Sequence, residues 1–476
     1  MPLQFRPEEK KTPAVARPEG TASLATAPSG TTTHTETTPT FRRIGQRMIK
    51  PLVRRPRLTK RGAAITIALS GLVMARWWYA NLEPNWPTYV PSYPDVQNQT
   101  GPNAANFYHA AMESYKPTTL PEKLRGTPST WTALNEASAP LEAKRLAMQD
   151  NTEALNWLHE AGTRTYYGNH GGKWLKTQPL EGPRLSDPVP NFISIRELAR
   201  TAAGSCDVLA AEGQHLAAVD RALDIAKWGT DMTHDPTLIE SMIGVLIQGI
   251  GYQKAVEHID SLTPEEAKVA LARLEKLPKP AAFSDIVRHE EMMVANTYKD
   301  VFQMSNVRGF QEGPESLTTG LAGHALYDAM LLWYTKRGLI ENYTSVMNEY
   351  ARIGAMPYHE ASSSYNMLQK RIDSGQGMNF LTRIVVPNMV RARWAYEAKI
   401  ARREVIRAEL MLKVWKAEHG GKLPASLSEL KNVPLDSLSA GANQPLRYDG
   451  VTGKVWSVGS NGIDEHGAGD DTLENP

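Results

Sequence analysis

Apolar side chains recur at three- and four-residue steps along much of this chain. The first clear face is formed by Ile195, Ala199, Ala202, Cys206 and Leu209, and the next by Leu216, Val219, Leu223 and Ala226. Such steps align side chains along one face of an α-helix. Gly213 separates the two segments, so the pattern predicts a helix, a tight break and a second, antiparallel helix.

A helix start signal stands at Thr263-Pro-Glu-Glu266. The threonine is a capping residue, the proline suits the first turn, and Glu266 completes a capping box. Helical patterning begins near Asn103 and continues, with interruptions, to about Lys416, but the helix pairs follow no fixed period. We therefore expect a mainly α fold, with an irregular antiparallel helical array at 103–385.

The segment from Leu238 to Ile250 is apolar on nearly all sides. It is thirteen residues long and contains Glu240 and Gln248, so it is too short and too polar to cross a bilayer. A helix that is hydrophobic all round belongs in a core. We expect a central core helix whose cap and first turn come from Asp235 and Pro236.

An uncharged run from Gly62 to Ala75 is the strongest candidate for a membrane span. Its fourteen residues make about 21 Å of helix, and extension to Ala80 gives nineteen residues and about 28 Å, against a hydrocarbon core of ~30 Å. The extension contains Arg76, which can snorkel to the interface, and three aromatic residues suited to the headgroup region. The sequence predicts one transmembrane anchor at 62–80.

The flanks of this run predict its orientation. Residues 41–61 carry nine basic and no acidic residues, and residues 1–40 are rich in Thr, Pro, Ala and Ser. Basic flanks face the cytoplasm, and polar low-complexity chain does not fold alone. We expect 1–61 to be a disordered, basic cytoplasmic tail and the rest to lie outside, in the bacterial periplasm. The Pro- and Asn-rich stretch 81–102 is then a spacer.

Three other interpretations of the N-terminal region remain open. The apolar run is also compatible with a cleaved signal peptide, since Ala75 and Ala80 are small residues of the kind a cleavage site requires. The basic run is compatible with binding to nucleic acid or to an acidic membrane surface, and the apolar run with a buried helix. Of these possibilities we favour the retained anchor and expect no nucleic-acid partner.

Composition narrows the class of protein further. The chain has 476 residues, and its mean hydropathy of −0.40 excludes a polytopic membrane protein. Its single cysteine, Cys206, cannot form an internal disulfide. Because Cys206 falls among the apolar positions of a predicted helix, we expect a small buried packing residue and not a nucleophile.

The C-terminal region, 386–476, has a different pattern. A long apolar-patterned helix leads into Gly420-Gly-Lys-Leu-Pro-Ala-Ser-Leu-Ser-Glu-Leu430, and three further motifs follow: Pro445-Leu-Arg-Tyr448, Lys454-Val-Trp-Ser-Val-Gly-Ser-Asn-Gly-Ile-Asp464 and His466-Gly-Ala-Gly-Asp-Asp471. This order resembles the C-terminal module of type II secretion major pseudopilins, and that of bacterial membrane-anchored proteins of unknown function. The resemblance covers about a fifth of the chain.

The resemblance implies a small α+β module with a short hairpin and a calcium ion in its terminal loop. The ligand positions that it implies are Asn461 and Asp470, with Asp464 or Asp471. Carboxylate and amide oxygens on a flexible, Gly-rich loop suit a hard cation such as calcium.

Evidence for an enzyme is limited to isolated carboxylates. No Gly-x-Ser-x-Gly or Walker loop is present, and His289-Glu-Glu291 lacks the second histidine of a zincin helix. Glu240 and Glu290 lie in otherwise apolar helical faces, where burial raises a carboxyl pKa and favours proton transfer. The alternative is a buried structural contact with an arginine such as Arg196 or Arg200.

These observations favour a membrane-anchored, extracytoplasmic helical scaffold that binds another envelope protein. Two alternatives remain open. The first is a component of a type II secretion or pilus-like assembly, and the second is an extracytoplasmic hydrolase that uses the buried carboxylates.

Overall fold

The computed structural model describes residues 60–87, 101–119, 139–168, 191–235, 237–304, 334–440 and 444–472. These residues are mainly helical, with one short hairpin, so the predicted mainly α class is confirmed. Residues 1–59 of the predicted tail and 88–100 of the predicted spacer lie outside the described residues.

The helices follow the predicted segments. They are α1 Lys60–Ala80, α2 Ala104–Ser114, α3 Leu141–Asp150, α4 Thr152–Gly162, α5 Phe192–Ala211, α6 His215–Met232, α7 Leu238–Ile259, α8 Pro264–Lys276, α9 Phe283–Met304, α10 Lys336–Gly354, α11 Tyr358–Ser374, α12 Phe380–Val385 and α13 Met389–Glu418. Short 3₁₀ turns lie at Leu427–Glu429 and Gly469–Thr472, and strands β1 Arg447–Tyr448 and β2 Val455–Trp456 pair antiparallel.

Helix α1 confirms that the apolar run at 62–80 is helical. The chain divides into two units, Met1–Gly71 and Leu72–Pro476, and the division falls within this helix. The large apolar side chains of α1 are exposed to solvent. None of the described helices is both long enough and apolar enough to qualify as a membrane span.

One hydrophobic core is built around the packing of α6 against α7. Side chains of α2, α4, α5, α8 and α13 complete it, with Cys206, Leu223 and Ile247 among its fully buried members. Glycines let the two central helices approach closely. A Cβ on Gly229 would lie 2.3 Å from the carbonyl oxygen of Gly244, and one on Gly251 would lie 2.5 Å from the nitrogen of Ala226. The expected core role of α7 is confirmed.

A second core lies between α9, α10, α11 and α13. Its aromatic side chains include Phe283, Tyr343, Tyr350 and Tyr365, all buried. The tyrosine hydroxyls in this core find partners. Tyr350 donates to Gln369 at 3.0 Å, and Tyr396 donates to the carbonyl of Ala281 at 2.7 Å.

The predicted helix ends are largely confirmed, with one correction. Gly213 has φ +78 at the break between α5 and α6, and Thr263 and Glu266 form the expected capping box of α8. The predicted cap of α7 is wrong, because the hydroxyl of Thr237 accepts from the backbone N–H of Glu240. Asp235 instead accepts a hydrogen bond from another side chain, and Pro236 lies outside the described residues.

The C-terminal region contains the expected long helix and short hairpin. Helix α13 runs for 30 residues, and its apolar face packs against Leu427, Leu438 and Val455 in a third core. The hairpin pairs Arg447 with Trp456 and Tyr448 with Val455. A short hairpin beside a long helix is therefore present.

The described start of the predicted spacer, residues 81–87, packs on α10. Trp86 contacts the buried pair Leu339 and Ile340. Asn85 donates to Glu341 at 2.9 Å and accepts from Arg337 at 3.3 Å. These contacts bring the chain that leaves α1 to the start of α10.

Candidate functional site

A buried polar cluster lies where α6 ends and α7 begins. Asp231 on α6 accepts hydrogen bonds from the hydroxyl of Tyr108 at 2.7 Å and from the ammonium of Lys227 at 2.5 Å. All three side chains are buried. Burial raises the pKa of the Asp231 carboxyl, and the positive charge of Lys227 opposes that rise. Lys227 and Asp231 therefore form a buried ion pair, and Tyr108 donates a further hydrogen bond to the carboxylate.

The cluster extends past the end of α6. Asp235 accepts from the hydroxyl of Tyr167 at 2.6 Å, and its backbone carbonyl lies 3.2 Å from Nδ1 of His289 on α9. Burial lowers the pKa of His289, so the imidazole is kept neutral. Burial, together with the neighbouring carboxylates, raises the pKa values of Tyr108 and Tyr167 well above the ordinary range, so both phenols remain donors.

The two carboxylates singled out from the sequence meet at this joint. Glu290 accepts a hydrogen bond from the backbone N–H of Leu238 at 3.0 Å, and Glu240 accepts from the hydroxyl of Thr237 at 2.8 Å. Burial raises the pKa of both groups, and the charge of Glu240 adds to the rise at Glu290. The structure therefore brings Glu240 and Glu290 together at the N-terminus of α7.

The prediction that an arginine such as Arg196 or Arg200 contacts these carboxylates is wrong. Arg196 and Arg200 act instead on Glu197 of their own helix, where their charges oppose the effect of burial on its pKa. A helix N-terminus offers unpaired N–H groups and a positive dipole end, so a carboxylate is stabilised there without an arginine. Glu290 and Glu240 are accordingly engaged in holding the start of α7.

The principal members of this cluster were missed by sequence reasoning. Tyr108 and Tyr167 are brought to Asp231 and Asp235 by tertiary packing, which no local pattern reports. The signal that was available is the four-residue spacing of Lys227 and Asp231, a helical ion-pair spacing on an otherwise apolar face.

A separate ion network joins α3, α5 and α7. Asp207 accepts hydrogen bonds from Lys144 at 2.7 Å and Lys254 at 2.8 Å, and lies 3.2 Å from Nε2 of His258. Burial alone would raise the pKa of Asp207, but these hydrogen bonds from His258 and the lysines hold it well below its usual range.

This network is also the one place in the described residues where three histidine or carboxylate side chains bring their ligand atoms within 4.8 Å, with Glu257 as the third member. The ammonium of Lys254 lies 2.6 Å from Glu257 and 2.8 Å from Asp207. The cation between these carboxylates is therefore supplied by the protein itself, and the arrangement is an ion-pair network.

In the terminal loop, the described side chains of the predicted calcium ligands accept hydrogen bonds from different groups. Asp464 accepts from the indole N–H of Trp456 at 2.8 Å, and Asn461 accepts from the backbone N–H of Ile463 at 2.6 Å. Asp471 is buried, and its Oδ2 accepts from the backbone N–H groups of Glu465 and Gly467. Its Oδ1 is buried without a hydrogen-bond partner in the described structure. The side chain of Asp470 lies outside what the structure describes.

Comparison with known proteins finds no match: no protein-family model, no curated protein and no solved structure is significantly similar to this chain.

Proposed function

We propose that this protein is a membrane-anchored helical scaffold, held by α1 and displaying its helical domain outside the cytoplasm. The observation that carries the proposal is the exposure of large apolar side chains along α1. The exposed fractions range from 58% to 73% at Ile65, Ile67, Leu69, Leu72, Val73 and Met74.

The directions of these side chains favour lipid over a protein groove. At 100° per residue, the apolar residues at 65, 69 and 72 lie on one side of the helix and those at 67 and 74 on the opposite side. Burying six such side chains is worth on the order of 10 kcal/mol. A bilayer covers a helix on all sides, whereas a groove covers one face.

The ends of α1 support the same assignment. Nine basic residues precede the apolar run, which favours a cytoplasmic N-terminus. Arg76, Trp77, Trp78 and Tyr79 follow it, and these side chains suit the headgroup region of the opposite surface. Another envelope protein is then the natural partner of the helical domain.

Labelling of single introduced cysteines tests this topology, because Cys206 is fully buried and burial raises its thiol pKa to about 12. We place one cysteine in the tail, Thr31→Cys, and another at a position that is 90% exposed, Val451→Cys. In spheroplasts, a membrane-impermeant maleimide should label the second at once and the first only after lysis. Equal labelling of both, or the reverse order, would contradict the proposed topology.

We further propose that the terminal loop binds calcium, as its resemblance to pseudopilins implies. The supporting observation is the buried Oδ1 of Asp471, an oxygen with no hydrogen-bond partner in the described structure. A carboxylate oxygen withdrawn from water without a donor is costly unless a cation satisfies it. Membership of a type II secretion or pilus-like assembly is the functional alternative that this module favours.

Thermal melts test the calcium site. At a calcium concentration of a hundred times Kd, binding should add about 2.7 kcal/mol to the free energy of unfolding and raise Tm by a few degrees. We expect this shift in the native chain and its loss in Asp471→Asn. The matched control is Asp449→Asn, an aspartate of the hairpin turn outside the proposed ligand set, which should keep the shift. A native chain with the same Tm in calcium and in chelator would remove the metal from the proposal.

The hydrolase alternative has one supporting observation, the electrostatic coupling of Glu240 and Glu290. If these groups perform acid–base chemistry, Glu290→Gln abolishes a hydrolytic activity and leaves the fold intact. If they hold α7 in place, the same change lowers the free energy of unfolding, and the scaffold proposal stands.

A further inference from the structure

Helix α7 exposes apolar side chains on one side, although the rest of the helix lies in a core. Ile239 and Leu246 are 55% and 46% exposed, whereas their neighbours Leu238, Val245 and Ile247 are buried. Apolar surface in contact with water is unfavourable, and contiguous apolar patches mark sites of interaction. This side of α7 is therefore a candidate docking surface.

The apolar positions on this side form a straight stripe. Ile239, Ile243, Leu246 and Ile250 follow one another at steps of four, three and four residues, and the second and fourth of them are half-buried. At 100° per residue these four positions fall within about 60° of one another, and the stripe is about 17 Å long. We call this set the α7 stripe. Its spacing is the one by which an amphipathic helix packs on another helix.

Helix α13 forms one edge of the α7 stripe. Gly249 lies about 60° round the helix from Leu246. A Cβ on Gly249 would be 3.0 Å from Cε of Lys399 and 3.3 Å from its Nζ. The missing side chain leaves room for the lysine, so the ammonium of Lys399 lies beside the stripe.

The charge of Lys399 is unmatched. The side chain is half-buried, and within the described part of the chain no hydrogen bond or ion pair reaches it. By contrast, Arg407 on the same helix has Glu404 at 2.7 Å. Burial lowers the pKa of Lys399 and the like charge of Arg402 lowers it further, and no carboxylate of the described residues opposes them. An acidic group at this edge would therefore be stabilised by the lysine.

Hydrophobic contact and charge together indicate one kind of partner. A stripe of this length and spacing matches the apolar side of a second helix, and the ammonium at its edge complements an acidic side chain. We propose that the α7 stripe docks an amphipathic helix of another protein, with an aspartate or glutamate of that helix paired with Lys399. The inference deepens the proposed scaffold role and rests on it for the existence of a protein partner.

Photo-crosslinking in cells tests the docking surface. The full chain is produced in its own host with p-benzoylphenylalanine in place of Leu246, the cells are irradiated, and the crosslinked peptide is sequenced by mass spectrometry. We expect a discrete adduct whose peptide has apolar residues at three- and four-residue steps and an acidic residue among them.

A matched control places the same photoprobe elsewhere on the helical domain. Val269 on α8 is 53% exposed, close to the exposure of Leu246, but Glu265 and Lys276 lie on the same side of its helix. A charged surface of this kind offers no apolar stripe. The adduct yield at Val269 should be lower than that at Leu246 by about tenfold.

The ion pair is tested on both partners. Lys399→Gln should lower the adduct yield at Leu246 about tenfold, because one charge-assisted contact is lost. Lys268→Gln, at a lysine that is 68% exposed, should leave the yield unchanged. Changing the acidic residue of the crosslinked peptide to its amide should give the same loss without altering this chain. Full yield in both charge variants would overturn the proposed pairing.

The remaining outcomes separate this inference from the scaffold role. An adduct at Leu246 with a second copy of this chain, or with lipid, would overturn the inference, as would the absence of any adduct there. An adduct at Val269 in the same experiment would show that a partner exists and docks elsewhere, so the scaffold role would stand. Flotation with liposomes reports on the anchor alone, and its failure is distinct from a failure of docking.

Discussion

Asp231 is a buried carboxylate whose two donors come from different helices. Replacing Lys227 by Met removes the countercharge and leaves a carboxylate in a site closed to water. Breaking a buried pair by removing one partner costs about 3–5 kcal/mol. We therefore expect urea denaturation of the Lys227→Met chain to show a loss of this size in the free energy of unfolding.

An exposed pair provides the control for this change. Lys268 and Glu418 are 3.2 Å apart, with side chains 68% and 55% exposed. Removal of such a pair costs about 0–1 kcal/mol. A loss in Lys227→Met no larger than that in Lys268→Met would show that the Asp231 cluster is not sealed from water.

Glu409 on α13 predicts a pH dependence of stability. Burial raises its pKa from an ordinary value of 4.5 to about 7, and Asp260 adds to the rise while Arg402 opposes it. Between these two values the folded chain binds a proton that the unfolded chain has released. The contribution of this group to stability is therefore complete below 4.5 and lost as pH rises through about 7.

The variant Glu409→Gln should remove this dependence. We expect it to be more stable than the native chain at pH ~8, where the native carboxylate is charged and half-buried, and to lose the advantage at pH ~4. Glu113→Gln, at an exposed position, should follow the native chain at both values. If the free energy of unfolding depended on pH in the same way in the native chain and in Glu409→Gln, the raised pKa of Glu409 would be contradicted.

At the scale of single residues, sequence reasoning succeeds where the cause is local. The burial of Cys206 follows from its helical face, and the roles of Thr263 and Glu266 follow from their three-residue spacing. The partners of Asp231 and Glu290 come from helices distant in sequence, and hydrophobic periodicity does not encode which helices meet. The members of the candidate site were therefore predicted only in part.

At the scale of helices, the close approach of α6 and α7 depends on glycine. A Cβ on Gly251 would lie 2.6 Å from the carbonyl oxygen of Ala222 and 2.9 Å from Cα of Ala226, and backbone atoms cannot move aside as a side chain can. Overpacking of this kind costs about 1–3 kcal/mol. We expect Gly251→Ala to lower the free energy of unfolding by at least that amount, measured by urea denaturation.

Gly204 in α5 is the matched control. It is also helical and buried, but a Cβ there meets only the side chain of Lys144, whose nearest atom, Cγ, lies at 3.5 Å. Because alanine favours helix over glycine, Gly204→Ala should be neutral or stabilising by up to about 1 kcal/mol. Equal effects of the two substitutions would show that helix propensity, and not interhelical spacing, decides the outcome.

Helix positions were predictable because hydrophobic periodicity depends only on residues that are close in sequence. The ends of the helices were less predictable. Asp235 with Pro236 matches the usual start of a helix, yet Thr237 is the cap of α7. Asp235 accepts a hydrogen bond from Tyr167, so its side chain is used in a tertiary contact and does not cap the helix. The hairpin at 447–456 was expected only from the resemblance of the C-terminal motifs to those of pseudopilins.

At the scale of the whole molecule, the central claim is that α1 anchors the chain in a membrane and that the helical domain binds a partner. The domain buries three clusters of large apolar residues as cores, while the large apolar side chains along α1 are exposed. The sequence predicted this contrast because a continuous apolar run differs from a one-sided stripe. It did not predict that residues 83–87 pack on α10, since Trp86 carries no local sign of its partners.

Flotation with liposomes tests this claim most directly. The full chain, washed at alkaline pH, should float with the lipid, and a chain that begins at Asn81 should remain at the bottom of the gradient. A charged side chain at the middle of a spanning helix costs about 2.5–3.5 kcal/mol, so Leu69→Lys with Leu72→Lys should abolish flotation, whereas Leu69→Phe with Leu72→Phe should not. A full chain that stays at the bottom, or a lysine variant that floats as the native chain does, would contradict a membrane anchor at α1.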